Sequence, residues 1–280
     1  MKNIKIDYKI IGEGMPTFIV AEAGINHGGK LKVAKELIIA AAKCGADAVK
    51  FQTYNTEERV GPDSPIFDLL KNCELSREDH QELIKVAKKH NVIFFSTPFD
   101  EKSIKLLIDL GVPAIKIASF DIVNLKLLRN AASVGVPLIV STGMANKDDV
   151  DKAVELFEKN SVEYCLLHCI SAYPANEEDA NLNVIKTLKK NYNYPIGYSD
   201  HTLGIRVPVL AVTAGATIIE KHFTLDKSWE GPDHKMSADP NDLTEMVLEI
   251  RKIEEILGLS EIRFVDSEKG TAPYRRITEL

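Results

Sequence analysis

The chain has 280 residues, with 45% hydrophobic and 27% charged residues and a formal net charge of −6. That balance is ordinary for a globular protein and excludes a global basic field for nucleic acid or an anionic membrane. No stretch approaches the ~20 apolar residues of a membrane span, and four cysteines are too few for a disulfide scaffold at this length. The opening MKNIKIDYKI lacks the apolar core of a signal peptide, so a reducing cytoplasm is expected.

In chain order, residues 1–16 read as a β-hairpin with a Gly-Glu-Gly turn ahead of the first main strand, a plug for the bottom of a barrel. Eight β-rich runs follow, at 17–24, 46–54, 91–99, 114–120, 137–144, 162–169, 195–200 and 216–224. Amphipathic helical segments separate them, including 31–43, 77–89 and 205–214, and a last helix is expected at 242–257. Glycines such as Gly45, Gly111, Gly135 and Gly215 mark the helix-to-strand junctions. Eight such units predict an α/β fold, a (β/α)8 TIM barrel over residues 17–258, with a tail or the start of a linker at 259–280. The long connection at 55–76 is a candidate lid.

In such a barrel the reactive site lies at the C-terminal ends of the strands, and the polar residues gather there. Strand by strand these are Glu22; Lys50 and Gln52; Ser96 and Thr97; Lys116 and Ser119; Ser141 and Thr142; His168 with Ser171 and Tyr173 beyond it; Ser199 to His201; and Glu220 with His222. Side chains alternate across a strand, so Lys50 and Gln52, Ser199 and His201, and Glu220 and His222 form same-face pairs. His201 and His222 fall at matching depth on consecutive strands ~4.8 Å apart, close enough to share one metal ion. Lys50 and Lys116 end apolar strands and are read as anion-binding cations. Lys221 has the opposite parity and is expected to snorkel outward. In CLLHC, Cys165 and Cys169 share a parity that His168 lacks, so a structural zinc is not expected there. GINHGG lacks the Lys-Ser/Thr ending of a Walker loop.

The segments AEAGINHGG, VKFQTY, FFSTPFD, STGM, LLHCISAYP, GYSDHTLG and IEKHFTLDKSWEGPDH, with a late Arg275-Arg276 pair, resemble the sialic acid synthase family, including N-acetylneuraminate and legionaminate synthases. The resemblance runs from about residue 16 to the C-terminus. It implies condensation of phosphoenolpyruvate with the open-chain aldehyde of an N-acylated hexosamine, giving a nine-carbon 2-keto sugar acid and phosphate. It implies a divalent metal, Mn²⁺ first and Mg²⁺ second, on His201 and His222. Carried over by position, Lys50, Thr97, Lys116, Ser119, Ser141 and Ser199 would hold phosphoenolpyruvate. Glu22 would be the catalytic carboxylate acting on the attacking water, with Glu220 beside the metal. Gln52, Ser171, Tyr173 and Asp233 would contact the sugar. Position 171 is Ser where many neuraminate synthases carry Asn. Family members form homodimers and usually continue into an antifreeze-like domain; residues 274–280 fall about where that linker begins. Two other readings are a Schiff-base aldolase using Lys50 or Lys116 and a non-catalytic barrel that binds sugar or phosphate.

Overall fold

The computed structural model describes residues 2–278. A two-stranded antiparallel hairpin, β1 (Ile4–Ile6) and β2 (Lys9–Ile11), precedes the barrel. The barrel strands are β3 (Phe18–Gly24), β4 (Ala48–Thr53), β5 (Ile93–Pro98), β6 (Ile115–Ile117), β7 (Leu138–Ser141), β8 (Tyr164–Cys169), β9 (Ile196–Asp200) and β10 (Ile218–His222). They are parallel and pair in chain order, and β10 closes on β3. The helices are α1 (Leu31–Lys43), α2 (Thr56–Arg59), α3 (Phe67–Cys73), α4 (Arg77–Lys89), α5 (Glu101–Asp109), α6 (Leu125–Ala132), α7 (Lys147–Lys159), α8 (Asn183–Asn191), α9 (Arg206–Thr213) and α10 (Pro240–Leu257). None is long and apolar enough to cross a membrane.

Strand parity sorts the chain into two apolar layers. Ile19, Val49, Phe51, Phe94, Ile117, Val140, Leu166 and Ile219 point outward and pack with Leu37, Leu83, Leu107, Leu128, Phe157 and Ile250 from the helices. The opposite parity points inward. Phe18, Val20, Ala48, Ile93, Phe95, Ala114, Ile139, Leu167 and Ile218 fill the lower barrel, and Ile4, Ile6 and Ile11 of the hairpin seal it from below. The expected plug is therefore present, with one difference. The hairpin turns at Asp7-Tyr8, and Gly12-Glu13-Gly14 instead links it to β3.

The next inward positions along the same strands are polar. Glu22 follows Phe18 and Val20, Lys50 and Gln52 follow Ala48, Thr97 follows Phe95, and Glu220 and His222 follow Ile218. One end of the barrel interior is thus an apolar seal and the other a charged floor. β6 is shorter than expected. Its chain leaves the sheet after Ile117, and Ser119–Asp121 forms a 3-10 turn with Asp121 N–H donating to Ala118 O at 3.0 Å. Residues 259–278 are almost wholly exposed.

Candidate active site

The polar floor lines a cavity of about 380 Å³, within the usual range for small-molecule sites. Lys50 Nζ lies 2.8 Å from Glu22 Oε2 and 2.9 Å from Thr97 Oγ1. Lys116 Nζ donates to Ser141 Oγ at 2.6 Å and to the Ile117 carbonyl at 2.9 Å. Glu220 Oε1 sits between the two lysines, 3.8 Å from each, and accepts from Ser199 Oγ at 3.1 Å. Sheet register explains these approaches. His222 stands beside Glu22 on β3, Glu22 beside Lys50 on β4, and Glu220 beside Ser199 on β9. Gly24 keeps the centre open. A Cβ there would lie 3.3 Å from Glu22 Oε1, 3.5 Å from Gln52 Nε2 and 3.8 Å from Asp233 Oδ2.

The two carboxylates are driven apart in acidity. Burial pushes Glu22 up to about 7, opposed by Lys50 and reinforced by Glu220. Burial acts on Glu220 in the same direction, but Lys116 and Lys50, with the Ser199 hydroxyl, outweigh it and hold Glu220 below the usual carboxylate value. Such a split marks one carboxylate as a fixed charge and the other as a group able to exchange a proton near neutrality. Burial would lower Lys50, yet Glu22 and Glu220 keep it above the ordinary lysine value; at Lys116 burial prevails and lowers it.

His201 and His222 face each other with ring centroids 5.3 Å apart, and Tyr173 packs 4.2 Å from His201. His201 Nδ1 donates to the Ile170 carbonyl at 2.8 Å, leaving Nε2 as its lone-pair nitrogen when the ring is neutral. Burial, with His201 and Lys50 nearby, holds His222 well below its usual value and so neutral. Its buried Nδ1 has no hydrogen-bond partner, and Asp233 Oδ2 is 3.7 Å away. Two imidazoles and a neighbouring carboxylate fit a divalent first-row metal. Among the described residues no three such donors already converge on one point, so water or substrate oxygens would complete the shell.

Over residues 37–261 the sequence matches the NeuB family. The chain belongs to that family. It is 46% identical over 276 residues to the N,N'-diacetyllegionaminic acid synthase of Legionella pneumophila, covering 92% of this chain and 78% of that protein. It is 37% identical over 262 residues to the N-acetylneuraminate-9-phosphate synthase of Mus musculus, covering 89% and 73%. Its fold superposes on the crystal structure of a Leptospira borgpetersenii N-acetylneuraminic acid synthetase with a TM-score of 0.95, at 44% identity, covering 98% and 96%.

Within this NeuB barrel every residue given a role by the resemblance lines the cavity except Ser171, whereas the strand-end residues Ser96, Thr142, His168 and Asp200 do not line it and bond instead to Thr53, the Leu167 carbonyl, the Ala180 carbonyl and Lys221. The Ser171 hydroxyl is buried behind Gly143, where a Cβ would come within 2.3 Å of it and within 2.8 Å of Ser119 Oγ. Gly143 N–H donates to Ser119 Oγ at 3.0 Å. Lys221 departs from expectation. It has the outward parity, but it is 1% exposed and pairs with the equally buried Asp200 while donating to the Thr202 carbonyl at 2.8 Å. Asp200 shares its parity one strand away, so the partner was in reach of the sequence pattern. Cys169, Phe99 and Phe120 also line the cavity without having been singled out, and so do Arg59, Ile66, Leu69 and Leu70 of the 55–76 connection, which the sequence marks only as a segment. Cys169 follows from the parity of Cys165 and Leu167; Arg59 carries no such signal.

Proposed function

We propose that this chain is a metal-dependent synthase that joins phosphoenolpyruvate to the open-chain aldehyde of an N-acylated hexosamine, releasing phosphate and a nine-carbon 2-keto sugar acid of the sialic or legionaminic type. The observation that carries the reading is the cavity floor: two buried lysines and a set of hydroxyls beside a carboxylate whose acidity lies near 7. A small molecule bearing both phosphate and carboxylate calls for two cations with hydroxyl donors around them. Lys50 and Lys116 would take those anions, with Thr97, Ser119, Ser141 and Ser199 completing the contacts.

In this scheme C3 of the enol attacks the aldehyde carbon, and the aldehyde oxygen gains a proton to become a hydroxyl. Water then adds to the cationic C2. Glu22 would take the water's proton, and the C2 hydroxyl gives up its own proton to the departing phosphate as the C2–O bond breaks, leaving the 2-keto group. Glu220, fixed as an anion between the lysines, holds their ammonium groups in place. Gln52, Tyr173 and Asp233 would orient the sugar. His201 and His222 would hold the Mn²⁺, or alternatively Mg²⁺, which when bound supplies Lewis-acid stabilisation of charge on the aldehyde oxygen.

The test is phosphate release from phosphoenolpyruvate with Mn²⁺ and a panel of N-acylated hexosamines. Release that needs both substrates is expected; none with any acceptor would overturn the reading. A Schiff-base aldolase is the second reading, because burial lowers Lys116 and a depressed lysine suits imine formation. It predicts inactivation by borohydride in the presence of substrate and full activity after chelation.

A further inference from the structure

Glu22 is anchored at both carboxylate oxygens. Lys50 Nζ lies 2.8 Å from Oε2, and the Gln52 amide Nε2 donates to Oε1 at 3.3 Å. The other end of the same amide meets Arg59, whose guanidinium donates to Gln52 Oε1 at 3.1 Å. Among the described residues this is the one hydrogen bond that Arg59 makes. Arg59 ends the short helix α2 and is itself clamped. Its guanidinium carbon lies 3.6 Å from the centre of the Phe99 ring and 4.6 Å from that of Tyr54. The two rings directly follow β5 and β4, and the Asn55 N–H, donating to Asp100 Oδ2 at 2.8 Å, ties those strand ends together. A fixed cation thus reaches Glu22 through one side-chain amide.

We propose that Arg59 is a positioning residue for Glu22: it holds the carbonyl end of the Gln52 side chain and so keeps the amide N–H turned toward the carboxylate. The inference rests on the synthase reading above, in which Glu22 takes the water's proton. The two ends of an amide side chain are nearly the same shape but opposite in hydrogen bonding, so its partners decide which way it faces. A guanidinium only donates and an ionised carboxylate only accepts, and Gln52 stands between one of each. With Arg59 in place, a single orientation satisfies both. Without it, nothing on that side opposes a flip, and a flipped amide sets an oxygen against the Glu22 carboxylate, two acceptors with no proton between them. Glu22 is then held by Lys50 alone, at one oxygen, and is free to swing. A general base works only within hydrogen-bond reach of the proton it takes, so this looseness costs rate and leaves binding intact. The role needs no contact between Arg59 and either substrate.

The experiment compares wild type with Arg59→Met, Arg59→Lys, Gln52→Met and the double variant Arg59→Met with Gln52→Met. Met fills the slot between the two rings but donates nothing, whereas Lys keeps a charged donor without the planar fork. Phosphate release with phosphoenolpyruvate, Mn²⁺ and a panel of N-acylated hexosamines gives kcat and the acceptor KM, and calorimetry gives the phosphoenolpyruvate affinity. Arg59→Met should lower kcat and kcat/KM together by about tenfold or more, with acceptor KM and phosphoenolpyruvate affinity within about twofold of wild type. Arg59→Lys should recover part of that loss. Gln52→Met, which removes the anchor itself, should lower kcat at least as much as Arg59→Met, and the double variant no further, because the two residues act as a unit. Wild-type kcat in Arg59→Met would reduce Arg59 to packing, and a raised acceptor KM at unchanged kcat would make it a binding residue. A smaller loss of kcat in Gln52→Met than in Arg59→Met, or a full further loss in the double variant, would mean that Arg59 does not act through Gln52. Each of these would overturn the assignment and leave the synthase reading standing. Phosphate release by wild type with none of the acceptors, while phosphoenolpyruvate still binds, would instead sink the synthase reading and the role of Arg59 with it.

Discussion

Lys50 and Lys116 share Glu220 at 3.8 Å each, but their other partners differ. Lys50 also neutralises Glu22, whereas Lys116 is held by Ser141 and a backbone carbonyl. Replacing either with Ala should weaken phosphoenolpyruvate binding by about 1.5–3 kcal/mol, one lost charge-assisted contact; unchanged calorimetric affinity in both would move the anion site elsewhere. The difference between them should appear in the pH profile. Burial raises Glu22 to about 7, and the carboxyl must be ionised to accept the water's proton. In the free enzyme kcat/KM should therefore hold above pH ~7 and fall roughly tenfold per unit below it. Lys50→Met removes the cation that opposes burial, so its acid limb should move to higher pH. An acid limb that stays below pH 5, or that persists in the residual activity of Glu22→Gln, would remove Glu22 from this role.

The adjacent strands β9 and β10 carry His201 and His222 with one intervening residue after the paired Ser199 and Glu220. That register, more than either residue, makes a two-imidazole site. His201→Ala and His222→Ala should each abolish Mn²⁺-dependent turnover and weaken Mn²⁺ binding, while leaving the circular dichroism of the barrel intact. Full activity of both variants in chelated protein resupplied with Mn²⁺ would rule the pair out. The same period-two logic made most of the floor legible in the sequence, because an inward polar residue following an inward apolar one is visible in the order of residues. It also located the bottom plug, since Ile4, Ile6 and Ile11 lie on short alternating strands. Where no strand periodicity applies, the sequence carries no such signal: the 55–76 connection reads only as a candidate lid, and the three-dimensional approach of Tyr54 and Phe99 is what shows Arg59 turned inward. Lys221 departs from expectation for a related reason: parity gives the face of a strand but not whether a buried partner such as Asp200 holds the side chain there. β6 ended early because the hydrogen bonds of the Ser119–Asp121 turn replaced sheet pairing.

Across the whole molecule, stability and chemistry occupy opposite ends of one barrel interior, which leads to paired predictions. Ile6 is fully buried in the lower seal. Ile6→Ala should cost about 2–5 kcal/mol by loss of burial and cavity formation, lowering Tm by roughly 2–4 °C per kcal/mol. Lys116, in the upper floor, is a buried cation whose charged form burial disfavours. Its replacement by Met keeps the volume and relieves that desolvation, but it also takes away a cation 3.8 Å from Glu220 Oε1, and removing one partner of a buried pair is destabilising; Lys50 and Ser199 remain beside Glu220 and limit the loss. Lys116→Met should therefore lower the Tm of the unliganded protein, but by less than Ile6→Ala does. Phosphoenolpyruvate reverses the ranking. At a hundredfold excess over Kd it should stabilise wild type by about 2.7 kcal/mol, and Ile6→Ala by a similar amount because its floor is intact. Lys116→Met should lose most of that ligand-dependent rise. Thermal denaturation of the three proteins with and without phosphoenolpyruvate reads all of this at once. Loss of the ligand shift in Ile6→Ala, or a fall in unliganded Tm for Lys116→Met as deep as that for Ile6→Ala, would mean that the two ends of the barrel are coupled.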